Sequence, residues 1–289
     1  MSLATYQDAR EWSKAIRREV LERRMPPWPA ARGFGDFAND RSLTPIEVEL
    51  LTAWADGVTP LGPDVAGSSG AGRHDHSAQP RPPDLVVTAP EPRAVTTLIE
   101  QIELPTDLAG DRWVTRWEFR PGNRSLIEQA VLRILPSTLV GAWTPPDDAI
   151  AFPSGVGLRL PAGSRLMVEL HYRKSATPQT DRSGAAFWFG PRPAHELRHR
   201  SLACGAIAID RDADALAVTP RAAEAGASIE LVARDRDGGV EPLSVVPRYE
   251  PGFPLTYRFR KPVRLRRGTT IELRSSAPGC SADLDYIDS

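Results

Sequence analysis

The sequence predicts a mainly β protein in which two β-sandwich domains follow a small α-helical segment. Three observations carry that expectation. Apolar residues recur at helical spacing only before residue 58, the period falls to two beyond residue 83, and the later apolar runs are short and divided by Pro and Gly turns. With 289 residues, 28 of them Pro and 22 Gly, the chain has length for two or three modest cores and abundant turn residues to separate their strands.

Taken in order, Tyr6, Ala9, Trp12, Ile16 and Val20 fall on one stripe of a helix expected over 5–24. A second helix has Thr44 as its cap, Pro45 at the first helical position, Glu47 completing a capping box and Gly57 as its stop. Its expected buried face is Ile46, Leu50, Leu51 and Trp54. Over 59–82 the composition turns to Pro, Gly, Ser and Ala, which cannot close a core and reads as a flexible linker, with His74 and His76 as solvated loop histidines.

Strands are then expected at 84–87, 113–119, 125–135, 166–173, 185–189 and 201–209, with Trp113, Thr115, Trp117 and Phe119 on one face of the second. The clearest hairpin joins 228–233 to 243–246 through Asp235-Arg236-Asp237-Gly238-Gly239, and two more strands fit 255–260 and 269–273. The expected domains are therefore 1–58 (helical), 59–82 (linker), 83–193 (first sandwich) and 194–289 (second sandwich).

Charge narrows the partners. Basic and acidic residues number 36 and 37, a net charge of −1, so no field draws in nucleic acid or an anionic membrane. No run of eighteen apolar residues exists, and no membrane insertion is expected. Residues 1–8 have neither a basic n-region nor an apolar h-region, so a cytoplasmic location is expected if Met1 is the native start. The sequence contains no phosphate-cradling glycine motif, nucleophile elbow or metalloprotease histidine pair.

Several phrases carry a family resemblance through their order. They are Arg112-Trp113-Val114 with Glu118-Phe119-Arg120-Pro121-Gly122-Asn123-Arg124, then His171-Tyr172 followed by Asp181-Arg182-Ser183, then Val246-Pro247-Arg248-Tyr249 and Gly268-Thr269. This order resembles the copper type II, ascorbate-dependent monooxygenases, the family of peptidylglycine α-hydroxylating and dopamine β-monooxygenases. Arg24-Met25-Pro26-Pro27-Trp28, ahead of the capped helix, resembles the C-terminal half of a cytochrome c domain, as bacterial members of that family carry. The resemblance spans about residues 5–275. It implies two jelly-roll-like sandwiches facing across a cleft behind a cytochrome-c-like helical segment, in a protein of a family usually exported.

It also implies ligand positions that this chain fills with other residues. Where the family reads Val-Val-His-His, this chain has Leu126-Ile127-Glu128-Gln129-Ala130, and where it reads Pro-His-Met-His-Leu-Arg-Gly, this chain has Pro220-Arg221-Ala222-Ala223-Glu224-Ala225-Gly226. Glu128 and Gln129 thus stand for one histidine pair, and Arg221 and Ala223 for the other. The family's late methionine is also missing, because the methionines are Met1, Met25 and Met167. Only His171 survives, sharing a strand face with Met167 and Glu169, so copper is confined to at most one weak site.

Met25 holds the heme axial-ligand position, but a covalent heme needs Cys-x-x-Cys-His, and the two cysteines are Cys204 and Cys280. No heme is expected on this chain alone, and Met25 is expected to pack in a rigid turn between the helices. The cysteines sit at the start and end of the expected last sandwich, where a disulfide would staple its terminal strands. His195 and His199 are expected in an exposed linker. The functional expectation is a non-catalytic, copper-monooxygenase-like protein with a binding or structural role, as a subunit beside a protein partner or in an assembly. Two alternatives stand beside it: a copper-dependent, ascorbate-type monooxygenase with an altered ligand set, and an electron-transfer fragment of a cytochrome c–monooxygenase fusion.

Overall fold

The computed structural model describes residues 5–62, 81–145 and 147–289; His74 and His76 lie outside these. The chain forms two units, Met1–Ala30 with Asn39–Arg81, and Ala31–Ala38 with Pro82–Ser289.

The first unit is helical. The expected single helix over 5–24 is broken at Trp12 into α1 (Tyr6–Glu11) and α2 (Ser13–Leu21), Trp12 leaving the helical region at φ −98° and ψ 9°. Helix α3 (Pro45–Asp56) starts on the expected capping box, with the Glu47 N–H donating to Thr44 Oγ1 at 3.2 Å and the Thr44 N–H donating to Glu47 Oε2 at 2.7 Å. Its inward face differs from expectation. Val48, Leu51, Thr52 and Ala55 turn inward at helical spacing, whereas Ile46 is 69% exposed and Leu50 is exposed with it. Helix α2 packs on α3, and Arg17 pairs with Asp56 at 2.7 Å. Met25 is 52% exposed, which corrects its expected packing role: the larger Trp28 ring is the buried side chain of that turn.

The second unit is mainly β. In chain order its first half contains β1 (Leu85–Thr88), β2 (Arg93–Ala94), β3 (Ile99–Pro105), β4 (Arg112–Arg120), β5 (Ile127–Ile134) and β6 (Thr138–Trp143). It continues with β7 (Ile150–Ala151), β8 (Val156–Leu160), β9 (Arg165–Tyr172), β10 (Thr180–Asp181), β11 (Gly184–Gly190) and β12 (His195–Glu196). The second half contains β13 (Arg198–Ala203), β14 (Gly205–Ala208), β15 (Ala213–Arg221), β16 (Ile229–Arg234), β17 (Val240–Val246), β18 (Tyr257–Leu265), β19 (Thr270–Ser275) and β20 (Ser281–Asp288).

Both halves are jelly rolls. The first pairs its main strands β1-β11-β4-β8 in one sheet and β3-β9-β5-β6 in the other; the second pairs β13-β20-β15-β18 and β14-β19-β16-β17. Setting aside the two-residue strands, each sandwich winds eight strands in the order first-eighth-third-sixth and second-seventh-fourth-fifth, the double Greek key of a jelly roll. The same topology is therefore built twice.

Local irregularities explain where period-2 reading slipped. The ladder between β4 and β11 shifts register at Thr115, so Val114, Trp117 and Phe119 are buried while Trp113 and Thr115 leave the face expected of them. Phe119 then meets Trp143 at 4.9 Å between ring centroids in the first core. The expected strand over 201–209 is two strands in different sheets. Gly205, at φ +117°, makes the corner between them. Beside that corner Cys204 and Cys280 form a disulfide with Cα atoms 5.3 Å apart, tying β13 to β20. Strands β15 and β20, central in their sheet, are absent from the expected set.

The segment Ala31–Ala38 belongs to this unit although the 1–58 boundary placed it with the helices. β17 and β18 are the edges of their two sheets, and the segment crosses both. The Ala31 N–H donates to the Val245 carbonyl at 2.7 Å, and the Arg260 N–H donates to the Asp36 carbonyl at 2.8 Å. Phe37 enters between them, buried, with its ring 5.1 Å from Tyr257 and 5.7 Å from Phe259. An open side of the second sandwich is thereby capped against pairing with another chain.

Candidate functional site

The period of β9 sends Leu166, Val168 and Leu170 into the first core and turns Met167, Glu169 and His171 to the opposite face of their sheet. The expected cluster thus shares a face, and two of its members bond: His171 Nε2 lies 2.9 Å from Glu169 Oε1, and Gln101 Nε2 donates to Glu169 Oε2 at 2.9 Å. The adjacent strand β5 brings up Gln129 as the ladder partner of His171. The register skips Glu128, which is the extra residue of a bulge between Ile127 and Gln129. That bulge separates the two positions of the first expected ligand pair. Glu128 turns away to accept from Arg173 at 3.1 Å, while Gln129, 1% exposed, donates from Nε2 to the Pro254 carbonyl of the second jelly roll at 3.1 Å. Gln129 Oε1 is buried without a hydrogen-bond partner among the described residues.

Across the junction the second expected pair is just as altered. Arg221, at the end of β15, forms a short ion pair with Asp283 of β20, and Ser201 Oγ donates to the same carboxylate at 2.8 Å. Ala223 lies exposed beyond the strand end. His199 is not in an exposed linker: it sits on β13, mostly buried, with Nδ1 2.6 Å from Asp285 Oδ1. Its Nε2 is buried without a partner among the described residues. His195, on β12, is exposed.

Two carboxylates tie the faces together electrostatically. Burial opposes ionisation of Asp283, but Arg221, Ser201 and Arg133 outweigh it and hold the carboxyl below its usual range. Burial likewise opposes ionisation of Glu169, and the hydrogen bonds from His171 and Gln101, with the charges of His171 and Arg133, bring its pKa down. Arg133, on β5, therefore acts on a carboxylate of each jelly roll. A further cross-junction approach joins Arg258 to Asp147 at 3.9 Å. Beside this polar strip lies a cavity of about 310 Å³ lined chiefly by apolar groups, among them Val140, Phe152, Leu197, Leu216 and Phe259, with Arg258, Arg260 and Asp285 as its charged members.

Residues suited to copper are not assembled here. One imidazole and one carboxylate meet at His171, the neighbouring amide is spent on Pro254, and a guanidinium occupies the second position. Among the described residues no group of three or more His, Cys, Asp or Glu side chains is placed to hold a metal ion. Covalent heme does not fit either, since both cysteines are joined to each other. No described helix is long and apolar enough to cross a membrane.

Sequence reasoning found His171, Glu169, Glu128, Gln129 and Arg221 but missed Asp283, Asp285 and Arg133. Their signal was present in Ala282-Asp283-Leu284-Asp285, where apolar and acidic residues alternate with the period of a strand.

No protein-family model and no curated protein matches this chain. Among solved structures it is similar to the major capsid protein P2 from bacteriophage PM2, at 10% identity over 70% of this chain and 96% of that one, with a TM-score of 0.32. It is also similar to a structure of Sulfolobus turreted icosahedral virus (13% identity, 71% and 93% of the two chains, TM-score 0.18) and to A223, a turret protein of that virus (12%, 71% and 99%, 0.18). At these scores the likenesses carry no functional argument.

Proposed function

We propose that this chain is a non-catalytic relative of the copper type II monooxygenases with a binding or structural role, in which the former ligand positions serve structural contacts, one of them between the two jelly rolls. The observation that carries this reading is the occupation of those positions: Gln129 donates across the junction to Pro254, while Arg221 is neutralised within the second jelly roll by Asp283 of the adjacent strand. A guanidinium bound to a carboxylate presents no lone pair to a metal, and the remaining imidazole is already turned to Glu169. The twice-built jelly roll supports the architectural part of the reading, and the protein-partner part rests on the absence of an assembled catalytic set.

Thermal unfolding of His171→Ala and Arg221→Ala, with and without excess Cu(II), tests it. As structural residues that hold no copper, each should lower the midpoint by an amount that does not change when Cu(II) is added. A Cu(II)-dependent rise in wild-type stability that vanishes in His171→Ala would instead show a native-state copper site, because only a ligand bound preferentially by the folded chain raises its midpoint.

A further inference from the structure

We propose that the end of the second jelly roll is a binding site for a small monocarboxylate with an apolar body. This site is separate from the copper question and does not rest on the reading above. A cavity of about 230 Å³ opens there, floored by the buried side chains of Ile209, Ala213, Leu265 and Leu284, with Arg200 and Tyr286 at its polar side.

Strand parity makes Arg200 unusual. On the ladder between β13 and β20, Arg200 pairs with Leu284 and Leu202 with Ala282, so Arg200 shares the core-facing side with three buried apolar residues. Its neighbour on the same side, Arg198, is neutralised by Asp288 at 3.0 Å. The Arg200 guanidinium makes no hydrogen bond or ion pair with any described residue, and neither does the Tyr286 hydroxyl. Arg211, the other cation of the lining, lies 3.6 Å from Asp210, which lines the cavity too but whose side chain is 73% exposed to solvent. Arg200 is thus the one lining cation without a counter-charge, held beside the apolar floor of a hollow with a polar rim.

Chemistry selects the ligand. A guanidinium offers a planar pair of N–H donors that matches a carboxylate bidentately, and a phenol adds one more donor. The floor of Ile209, Ala213, Leu265 and Leu284 rewards a hydrocarbon body. At roughly 30 Å³ per water-sized group the hollow takes on the order of eight non-hydrogen atoms, the size of hexanoate.

Isothermal titration of the full chain with hexanoate, 1-hexanol and inorganic phosphate tests this, alongside Arg200→Gln and Arg200→Lys. Hexanoate should bind saturably, hexanol and phosphate should bind at least about tenfold more weakly, and Arg200→Gln should lose about tenfold or more in hexanoate affinity. Arg200→Lys keeps the charge but not the fork, and should fall between; it serves as the test should Arg200→Gln fail to fold. Absence of saturable heat at about 10 mM hexanoate, or unchanged affinity in the variants, would overturn the site. An inward charge on an edge strand can also serve only to deter strand pairing. In that case light scattering of Arg200→Gln would show self-association while no form of the protein takes up hexanoate.

Discussion

Asp283 gathers the polar groups on its face of the second jelly roll, because it joins a cation, a hydroxyl and the field of a third group while mostly buried. Its folded pKa lies below the unfolded value, so its stabilising contribution is complete above the ordinary Asp pKa of about 4 and is lost as pH falls through the lower folded value. Asp283→Asn should therefore be less stable than wild type at pH 7, where Arg221 is left without a charge partner. It should also lose less stability than wild type between about pH 4 and pH 2. Urea unfolding at pH 7, 4 and 2 measures both. Parallel acid limbs in the two proteins would show that the pair contributes nothing. At this scale the sequence pointed to Arg221 but not to its partner, since Arg221 meets Asp283 across 62 residues of chain and no local pattern encodes such a pairing.

Elements were legible in proportion to how local their causes are. The capping box of α3 and the hairpin closed by Asp235 and Gly238 depend on residues within one turn, and both formed as expected; Asp235 Oδ1 accepts the N–H groups of Asp237 and Gly239 at 3.0 and 2.6 Å. The inward face of α3 followed only in part: Leu51 and Trp54 are partly buried as expected, Ile46 and Leu50 are exposed, and Val48 and Ala55 turn inward in their place. Likewise, nothing around Phe37 announces that an eight-residue segment leaves the helices to close a sandwich. Its burial between Tyr257 and Phe259 has a direct consequence. Phe37→Ala should cost about 3–5 kcal/mol of stability and speed amide exchange in β17 and β18 before β1 or β11. Exchange raised equally in all four strands would mean that the segment does not seal that edge.

The whole molecule repeats one winding order without repeating a sequence. A jelly roll asks each strand only for alternation and each turn for a Pro, Gly or Asp, so the two halves converge on the same topology through different residues. The mainly β class and the two sandwiches were therefore readable from period and punctuation, whereas β15 and β20 were hidden by Pro220 and by acidic residues that resemble loop composition. The two jelly rolls meet at a junction crossed by the Gln129–Pro254 hydrogen bond and by the approach of Arg258 to Asp147. Copper stoichiometry is the direct measure of the proposed non-catalytic reading: the purified chain is equilibrated with Cu(II), dialysed against metal-free buffer and analysed for metal. Less than one retained copper per chain is the expected result, and two tightly held coppers per chain would contradict it.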